Sequence, residues 1–301
     1  MDDKRFTELT LSDLKEIFHQ SLDPVFDKNE VDRFFYLSLD HILGKSRLNF
    51  TIDPMFVVSE KAAQIFKTIV SRLQSHEPIQ YVIGETEFFG LKFGLNHQVL
   101  IPRPETEELV DHILRSDLVK RNEKYLNILD IGTGSGCIAV TLAKNLSDAK
   151  LFAIDVSESA LEIAQKNAIL NEVDIAFGLH DILSGDSLFF EIKKGKPVKY
   201  DVIVSNPPYV RESEKIEMKP NVLDFEPDLA LFVPNDDPLV FYSAIADFAV
   251  NNLKDSGWLF FVINQYLGEE LMKMFKSKGF NNLSLVKDMN GNDRIVKCSR
   301  Q

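Results

Sequence analysis

The sequence predicts an α/β protein in which a parallel sheet with helices on both faces follows a smaller, wholly helical region. Three observations carry this prediction. Apolar runs of strand length alternate with helical patterns from about residue 125, whereas the first 80 residues show mainly helical patterns. In addition, 45% of the 301 residues are hydrophobic, which is enough to bury a sizeable core. The length fits about two domains.

Three helical patterns occupy the N-terminal region. Thr10 and Asp13 form a capping-box-like start to the first pattern, and Ser59 is expected to cap the third. The apolar positions recur at helical spacing and are expected to form a core: Leu14, Ile17 and Phe18; Val31, Phe34, Phe35, Ile42 and Leu43; and Ala62, Ile65, Phe66, Ile69, Val70 and Leu73. These patterns predict a helical domain over residues 1–79.

A change of period predicts a β-hairpin linker over residues 80–104. Residues 80–83 and 88–93 have the composition of short extended segments. Three glycines interrupt them: Gly84, Gly90 and Gly94. A helix is then expected to begin at Pro104, because the missing N–H of proline costs nothing at the first helical position.

Strands and helices alternate over the remaining residues. Strands are predicted over 126–131, 151–154, 200–204 and 258–263. Helices are predicted over 138–145, 157–170, 239–253 and 267–278, and a terminal hairpin over 281–286 and 294–298. This alternation is typical of βαβ units in a parallel sheet, so a second domain is predicted over residues 105–301.

The chain is acidic, with 34 Lys and Arg side chains against 46 Asp and Glu and a formal net charge of −12. The excess extends into the N-terminal region, where residues 1–80 carry ten basic and thirteen acidic side chains. Phosphate backbones repel such a protein unless it carries a local basic patch, so direct nucleic-acid binding is not expected.

The cysteines and the apolar segments predict a cytoplasmic location. Cys137 and Cys298 are far apart and lack metal-ligand spacing, as expected of two free thiols in a reducing compartment. The N-terminal residues lack the apolar region of a signal peptide, and no stretch approaches the roughly 18 to 20 apolar residues that cross a bilayer. We therefore expect neither a metal nor a membrane as a partner.

A glycine-rich turn follows the first strand of the predicted sheet. Its sequence is Gly132-Thr133-Gly134-Ser135-Gly136, and Asp155 ends the next strand. Alternate glycines let a ligand approach the backbone closely, and an acid at the end of the second strand binds ribose hydroxyls in doubly wound folds. The G-x-G-x-G spacing suits a nucleoside without a pyrophosphate, which disfavours an NAD-dependent oxidoreductase.

The turn and its acid resemble those of the Rossmann-like S-adenosylmethionine-dependent methyltransferases, which implies S-adenosylmethionine as the cofactor. By this resemblance the turn faces the methionine end of the cofactor, and Asp155 binds its ribose. Ile182, after His180 and Asp181, matches the position beside the adenine.

The tetrapeptide Asn206-Pro207-Pro208-Tyr209 follows the fourth candidate strand, where ligands bind in open α/β sheets. Its prolines restrict the backbone, so that the side-chain oxygen of Asn206 and the carbonyl oxygen of Pro207 are rigid acceptors. Tyr209 offers a flat face for stacking. Two acceptors and a stacking face suit a planar –NH2 group whose nitrogen accepts a methyl group.

Further segments resemble the peptide chain release factor glutamine methyltransferases, the PrmC/HemK family. They are Glu77-Pro78-Ile79-Gln80-Tyr81-Val82-Ile83-Gly84, Glu87-Phe88-Phe89-Gly90, Ile101-Pro102-Arg103-Pro104-Glu105-Thr106-Glu107, and Phe225-Glu226-Pro227 with Ala230-Leu231. The resemblance spans roughly residues 77–300. It implies methylation of the side-chain amide nitrogen of the glutamine in the Gly-Gly-Gln motif of class 1 release factors, which the helical domain helps to recognise.

The same resemblance implies roles for single residues. The tetrapeptide is expected to bind the substrate glutamine, with Asn206 and Pro207 acting in catalysis and Asn206 also lying against the cofactor. Arg103 and Glu105 are expected to shape the pocket edge, and Glu226 to brace the active-site loop.

Two other functions are compatible with parts of the sequence. A nucleic-acid adenine amino-methyltransferase shares the tetrapeptide, although the net charge of −12 disfavours it. A cofactor-binding module without catalysis is the other. It stays open because Val262 stands where the resembled family usually has glutamate, so that a supporting polar contact is expected to be missing.

Overall fold

The computed structural model describes residues 9–120, 125–185, 190 and 197–300. Its α-helices are α1 (Leu11–Leu22), α2 (Lys28–Leu43), α3 (Arg47–Ile52), α4 (Glu60–Gln74), α5 (Ile79–Ile83), α6 (Pro104–Leu114), α7 (Asp117–Lys120), α8 (Cys137–Asn145), α9 (Glu158–Leu170), α10 (Pro220–Leu223), α11 (Asp228–Leu231), α12 (Val240–Asn252) and α13 (Gly268–Ser277). Its strands are β1 (Glu85–Phe88), β2 (Leu91–Gly94), β3 (Asn127–Ile131), β4 (Lys150–Asp155), β5 (Ile175–Leu179), β6 (Tyr200–Ser205), β7 (Val210–Arg211), β8 (Phe232–Val233), β9 (Leu253–Val262), β10 (Asn281–Lys287) and β11 (Asp293–Ser299).

The chain divides into two compact units. The first comprises Met1–Gly84 and Lys219–Phe225, and the second comprises Glu85–Met218 and Glu226–Gln301. Among the residues described above, no helix is both long enough and apolar enough to cross a membrane.

The first unit is built from amphipathic helices, as predicted. The capping box of α1 is present, since Thr10 Oγ1 accepts a hydrogen bond from the backbone N–H of Asp13 and the Asp13 carboxylate accepts one from the backbone N–H of Thr10. Ser59 caps α4 by accepting from the N–H of Ala62. These bonds satisfy backbone donors that a helix start otherwise leaves free.

A single apolar cluster fills the first unit and contains most of the predicted core. Its buried members include Leu14, Phe18, Val31, Phe34, Phe35, Ala62, Phe66, Ile69, Val70 and Leu73. Ile17, Ile42 and Leu43 pack against it and are partly buried. Ile65 is 40% exposed, so its prediction as a core residue is wrong. It lies at the margin of the apolar face of α4, where a side chain reaches solvent.

The prediction of an extended segment over residues 80–83 is also wrong. These residues belong to α5, because Pro78 precedes the helix and Gly84 ends it in the left-handed region at φ +79°. The hairpin forms later, from β1 and β2. The segment 80–104 therefore begins with a helix of the first unit and continues with a hairpin of the second.

The second unit is organised around a seven-stranded sheet of order β10-β11-β9-β6-β3-β4-β5. The strands from β9 to β5 in this order pair in parallel. β11 pairs antiparallel with β9, and β10 pairs antiparallel with β11 at the edge of the sheet. The four predicted strands correspond to β3, β4, β6 and β9, and the predicted terminal hairpin to β10 and β11. The α/β prediction with its parallel sheet is thus confirmed.

Helices cover both faces of this sheet. Successive side chains of a strand point to opposite faces, and accordingly Val202 and Val204 of β6 belong to one apolar cluster and Ile203 to another. Residues of α6 and α8 contribute to the first cluster, and residues of α12 and α13 to the second. The sheet therefore lies between two apolar cores, and its carboxyl edge is left to form a site.

Candidate active site

The candidate active site lies at the carboxyl edge of the parallel strands, where β3 and β6 are neighbours. The chain runs from β3 to β4 and β5 on one side and returns to β6 on the other, which makes a topological switch point between β3 and β6. A cavity of about 340 Å³ opens there, within the range of small-molecule sites. All of its lining residues belong to the second unit.

The glycine turn is held by the end of β4. The backbone N–H groups of Gly132 and Thr133 both donate to the Ile154 carbonyl, at 2.9 and 3.0 Å. Gly132 and Gly134 have φ values of +72° and +55°, and a Cβ atom on either would meet no other atom within 4 Å. The turn therefore needs glycine for its conformation and leaves open space beside its backbone, as a bound ligand requires.

Gly136 serves packing within the fold. It is the N-cap of α8 with φ +81°, and a Cβ atom there would lie 3.1 Å from the Cβ of Ala164 in α9. The third glycine of the turn therefore lets α8 approach α9 closely, as the last glycine of such a turn does in related βαβ units.

Asp155 ends β4 on the wall of the cavity. Its Oδ2 accepts a hydrogen bond from the N–H of Gly134 at 2.8 Å, and its Oδ1 accepts one from the N–H of Ser157 at 2.9 Å. Burial raises the pKa of this carboxyl, and the two backbone hydrogen bonds oppose that shift. Because carboxylate oxygens have several lone pairs, Asp155 shapes the turn and still has capacity for ligand hydroxyls.

Asp130 lies directly before the glycine turn and is fully buried. Thr133 Oγ1 donates to its Oδ2 at 2.7 Å, whereas its Oδ1 has no hydrogen-bond partner within the described ranges. Burial raises the pKa of Asp130 to about 7, and the nearby charge of Asp155 adds to this effect. Near neutral pH the carboxyl is therefore divided between its neutral and charged forms.

Asn206 follows β6 and lines the cavity. Its Nδ2 donates to Thr106 Oγ1 at 3.1 Å, whereas its Oδ1 is buried and has no partner in the part of the chain that the structure covers. The preceding backbone is fixed, since the hydroxyl of Ser205 donates to the Ile131 carbonyl at 2.6 Å. A buried acceptor without a partner, next to a cavity, fits a ligand that brings an N–H or O–H group.

The structure brings most of the predicted site residues to the same cavity. Its lining includes Gly132, Thr133, Gly134, Ser135, Asp155, Ile182, Asn206, Pro207 and Pro208. Gly136 and Tyr209 lie outside its wall. The glycine turn, the acid after β4, the segment after β5 and the start of the tetrapeptide thus meet around one space, although they are widely separated in the chain.

Tyr209 packs into the fold behind the site. Its side chain contacts the apolar clusters on both faces of the sheet, and burial raises the pKa of its phenol. Its carbonyl accepts a hydrogen bond from Asn264 Nδ2 at 3.2 Å, and Asn264 follows β9. The end of the tetrapeptide is therefore tied to a neighbouring strand, while its predicted use as a stacking face stays a prediction.

An ion pair joins two segments that border the cavity. Arg103 Nη2 lies 2.6 Å from Glu226 Oε1, and the N–H of Ile101 donates to Glu226 Oε2 at 3.4 Å. The Glu226 side chain is only 1% exposed, whereas that of Arg103 is 33% exposed, so the pair compensates a buried carboxylate with a partly exposed cation. Residues 227–230 line the cavity, and Glu226 anchors their start. Glu105 lies outside the cavity wall.

Sequence reasoning does not identify two polar residues beside the site. Thr106 stands in a segment that the family resemblance includes, but a threonine in the first turn of a helix has no distinctive signal. Asn167 of α9 accepts from the N–H of Gly94 at 2.7 Å and donates to the Ser135 carbonyl at 2.8 Å. In the sequence, Asn167 could have been noticed as a polar side chain at a position of α9 where the helical periodicity predicts an apolar one.

Val262 lies in the apolar core. It is the last residue of β9, is buried, and pairs across strands with Ile295, which belongs to the same cluster. Its backbone carbonyl accepts a hydrogen bond from the Tyr242 hydroxyl at 3.1 Å. The valine side chain is thus accommodated by apolar neighbours.

Both cysteines are free and buried, as predicted for thiols. Cys137 lies on the cavity wall at the start of α8, and burial raises the pKa of its thiol to about 12. Cys298 lies in β11, where burial also raises the pKa of the thiol. Over the described ranges, no group of three or more His, Cys, Asp or Glu side chains is arranged to hold a metal ion.

The fold is that of a Rossmann-like S-adenosylmethionine-dependent methyltransferase. Residues 109–223 match the family described as Methyltransferase small domain, and residues 29–84 match the PrmC N-terminal domain. The PrmC N-terminal match covers the helices α2 to α5, and the methyltransferase match covers the parallel strands β3 to β6.

Curated relatives identify the family more narrowly. A release factor glutamine methyltransferase of Flavobacterium psychrophilum is 48% identical over 94% of this chain and 96% of its own length. A protein of the same name from Bacteroides thetaiotaomicron is 43% identical over 93% of this chain and 97% of its own length. The chain belongs to the release factor glutamine methyltransferase family.

Solved structures share the fold at low sequence identity. The T. thermophilus 16S rRNA N2 G1207 methyltransferase, in complex with AdoMet and guanosine, is 17% identical with a TM-score of 0.50 and covers 72% of this chain and 50% of that chain. The catalytic domain of hMettl16, in complex with a MAT2A 3′UTR hairpin, is 16% identical with a TM-score of 0.51 and covers 83% of this chain and 85% of that chain. At these identities the likeness is one of fold.

Proposed function

We propose that this chain transfers a methyl group from S-adenosylmethionine to the side-chain amide nitrogen of the glutamine in the Gly-Gly-Gln motif of class 1 release factors. One observation carries the proposal. Asn206 lies on the cavity wall at the end of β6, with its Nδ2 engaged by Thr106 and its Oδ1 without a partner in the described residues. A primary amide is the kind of group that supplies the missing N–H donor.

The proposed cofactor-binding residues are the glycine turn, Asp155, Ile182 and Asn206. The open space beside Gly132 and Gly134 supports close approach of a ligand to the turn, and Asp155 has lone pairs for ribose hydroxyls. S-adenosylmethionine supplies an electrophilic sulfonium methyl group when bound. Gly136 supports the site through the packing of α8 and lies outside its wall.

Asn206 and Pro207 are proposed to bind and activate the substrate amide. An amide nitrogen is a poor nucleophile because its lone pair is delocalised into the carbonyl. Two fixed acceptors, Asn206 Oδ1 and the Pro207 carbonyl, would hold both hydrogens of the –NH2 group and favour the pyramidal geometry that frees this lone pair. Holding the nitrogen in one orientation also lowers the entropic part of the barrier.

Pro208 and Tyr209 are proposed to complete the substrate site. Pro208 lines the cavity, so it contributes wall area next to Asn206. The hydrogen bond from Asn264 Nδ2 to the Tyr209 carbonyl stabilises the backbone of the tetrapeptide. We therefore assign Tyr209 a role in holding Asn206 and Pro207 in place through its backbone.

A class 1 release factor is the proposed partner, and the cytoplasm is the proposed location of an enzyme that acts on it. The recognition domain over residues 1–79 and the catalytic domain over 105–301 are proposed as predicted. Within the predicted linker over 80–104, the hairpin is formed by Glu85–Phe88 and Leu91–Gly94 alone. The net charge of −12 supports a protein substrate over direct contact with nucleic acid or with anionic membranes.

Methyl transfer tests the proposal directly. The protein is incubated with methyl-labelled S-adenosylmethionine and a purified class 1 release factor, and the label is mapped by mass spectrometry. We expect label on the amide nitrogen of the Gly-Gly-Gln glutamine and none on a release factor with alanine at that position. Absence of transfer despite cofactor binding would support the non-catalytic module, and label on adenine in DNA would support the nucleic-acid enzyme.

Asn206→Ala tests the residue that carries the proposal. We expect turnover to fall about a hundredfold because a fixed acceptor for the reacting amide is lost. Affinity for S-adenosylmethionine, measured by calorimetry, should fall by no more than a few-fold, because the glycine turn and Asp155 keep their proposed contacts with the cofactor. Asn145→Ala, which removes an exposed asparagine at the end of α8, is the matched control and should be active. Unchanged turnover of the Asn206 variant would contradict the proposed role.

A further inference from the structure

Asn167 of α9 joins the glycine turn to the hairpin of β1 and β2. It is only 1% exposed, and its carboxamide makes three hydrogen bonds to backbone groups. Its Nδ2 donates to the carbonyl of Ser135 in the turn at 2.8 Å and to the carbonyl of Gly94 in β2 at 3.0 Å. Its Oδ1 accepts from the N–H of Gly94 at 2.7 Å. One buried side chain thus bridges two segments that are distant in the chain.

These partners fix the orientation of the Asn167 carboxamide. A backbone N–H group can only donate a hydrogen bond, and a backbone carbonyl can only accept one. A carboxamide turned by 180° would set its oxygen against the carbonyls of Gly94 and Ser135 and its –NH2 group against the N–H of Gly94. All three bonds would then be lost. Because buried polar groups without partners are costly, the observed orientation is strongly favoured.

Residues outside the glycine turn hold it at its start, its middle and its end. The start is bound to the carbonyl of Ile154, and the N–H of Gly134 in the middle is bound to Asp155 Oδ2. The end is bound through the Ser135 carbonyl, and Asn167 supplies that bond. Without Asn167 the first two attachments would remain, whereas the segment that leads into α8 would lose a fixed point.

The same face of α9 supports the end of the turn a second time. Ala164 lies one helical turn before Asn167, and its Cβ would be 3.1 Å from a Cβ atom on Gly136. The small side chain of Ala164 thus lets α9 approach Gly136, while the carboxamide of Asn167 binds the preceding carbonyl. Ser135 lines the cavity, so a shift of this segment would change the cavity wall.

We propose that Asn167 is a positioning residue for the cofactor, which holds the end of the glycine turn in the conformation that binds S-adenosylmethionine. The inference rests on the proposed function, because it takes S-adenosylmethionine as the ligand of this turn. Asn167 lies outside the cavity wall, so it acts through the Ser135 backbone and has no part in methyl transfer.

Asn171 provides a matched control on the same helix. It is 8% exposed, and its Nδ2 donates to the carbonyl of Lys92 in β2 at 2.9 Å and to the carbonyl of Asn167 at 2.9 Å. Among the residues that the structure describes, its carboxamide therefore bonds to the hairpin and to α9, and not to the glycine turn. Asn167→Ala and Asn171→Ala each remove a buried carboxamide from β2, but only Asn167→Ala also releases the turn.

Cofactor affinity is the first measurement. Calorimetry should show that Asn167→Ala raises the Kd of S-adenosylmethionine about tenfold, the effect of losing one buried hydrogen bond that holds the binding conformation. Its KM for S-adenosylmethionine should rise in parallel. Its kcat at saturating cofactor and its KM for the release factor should stay within about twofold of wild type, because the substrate site is untouched. Asn171→Ala should change the Kd less than about twofold.

Hydrogen exchange is the second measurement and needs neither activity nor a ligand. Mass spectrometry of the two variants compares exchange over residues 132–136 with exchange over β2. In the glycine turn, exchange should be faster in Asn167→Ala than in Asn171→Ala. In β2, exchange should be faster than in wild type for both variants, because both lose a bond to the hairpin.

Equal Kd values for Asn167→Ala and Asn171→Ala would overturn the inference, as would unchanged exchange in the turn of the Asn167 variant. A KM for the release factor that rises as much as the KM for S-adenosylmethionine would also overturn it, because the effect would then be a general loss of structure. If Asn167→Ala does not fold, Asn167→Asp is compared with Asn171→Asp instead. Aspartate keeps the shape and the acceptor for Gly94, but its carboxylate has no N–H group for Ser135.

Failure of the proposed function gives a different result. A wild-type protein that binds S-adenosylmethionine without methylating the release factor would contradict the proposed function, while the comparison of Kd values would still decide the role of Asn167. A wild-type protein that does not bind S-adenosylmethionine would contradict both proposals.

Discussion

Asp155 illustrates how one side chain supports both the fold of a turn and the binding of a ligand. Its two oxygens accept the N–H groups of Gly134 and Ser157, so the carboxylate stabilises the turn even before a ligand binds. Its position at the end of β4 was predictable from the sequence, because an acid after a second parallel strand has a recurring role. The hydrogen bond to Gly134 was not predictable, since it depends on the turn geometry.

Removing this carboxylate should weaken cofactor binding. We expect Asp155→Ala to raise the Kd of S-adenosylmethionine about thirtyfold, equivalent to about 2 kcal/mol, because charge-assisted hydrogen bonds to the ligand and to the turn are lost. Calorimetric titration measures this change. Glu158→Gln removes an exposed negative charge from the first turn of α9 and should leave the Kd nearly unchanged. Equal affinity of the Asp155 variant and wild type would count against the assignment.

Asp130 should make the stability of the protein depend on pH. Burial raises its folded-state pKa to about 7, above the unfolded value, so the folded state binds more protons than the unfolded state between these two values. The stability that this group contributes is therefore fully present at low pH and is lost as pH rises to about 7.

Asp130→Asn removes this titration. We expect the free energy of unfolding of the variant minus that of wild type to be larger at about pH 8 than at about pH 5, because only wild type carries a buried charge at pH 8. Urea denaturation at both pH values measures the difference. A difference that does not vary with pH would show that the carboxyl titrates as it does in the unfolded chain.

At the scale of elements, the glycine turn combines two separate demands. Gly134 is needed only for its backbone conformation, since a Cβ atom would meet open space, whereas Gly136 also lies against Ala164 of α9. Both are glycines of one motif in the sequence. The structure assigns the first to the cavity and the second to the contact between α8 and α9.

Alanine substitutions should separate these demands. We expect Gly134→Ala to destabilise the protein by about 1 kcal/mol, the cost of a left-handed non-glycine residue. Gly136→Ala should cost about 2 kcal/mol or more, because steric overlap with the Ala164 backbone and Cβ is added. Midpoints of urea unfolding compare the two variants. The assignment would be wrong if Gly134→Ala were the more destabilising.

Element prediction succeeded where hydrophobic periodicity and chemistry agree. Strands β3, β4, β6 and the second half of β9 consist mainly of apolar residues that pack into the cores on both faces of the sheet, which is a strong local signal. The segment 80–83 was predicted incorrectly because a run of four residues is too short for its periodicity to distinguish a strand from a single helical turn. In the structure the segment is helical, with Pro78 before the helix and Gly84 at its end. Contacts such as that of Thr106 with Asn206, a hundred residues apart, have no signal in one sequence.

For the molecule as a whole, the net charge distinguishes two chemistries that share the same tetrapeptide. An adenine amino-methyltransferase must approach a phosphate backbone, whereas a protein methyltransferase need not. The net charge of −12 opposes the first approach and leaves the second open.

This charge predicts no measurable affinity for nucleic acid. We expect no binding of a fluorescent DNA duplex or of single-stranded RNA by anisotropy at about 0.1 M salt, where repulsion is only partly screened. Methylation of the release factor should continue unchanged when such competitors are added. Micromolar binding that weakens with salt, or inhibition by the competitors, would favour the nucleic-acid alternative.

The two buried cysteines make this protein suitable for site-selective labelling. Cys137 and Cys298 are its only thiols, and both have pKa values raised by burial, so little reactive thiolate forms at neutral pH. A cysteine introduced at the exposed position Gln64 of α4 should therefore react with a maleimide dye in preference to the native pair. A fluorophore attached there could follow the arrival of a release factor in real time, with the native cysteines left in place.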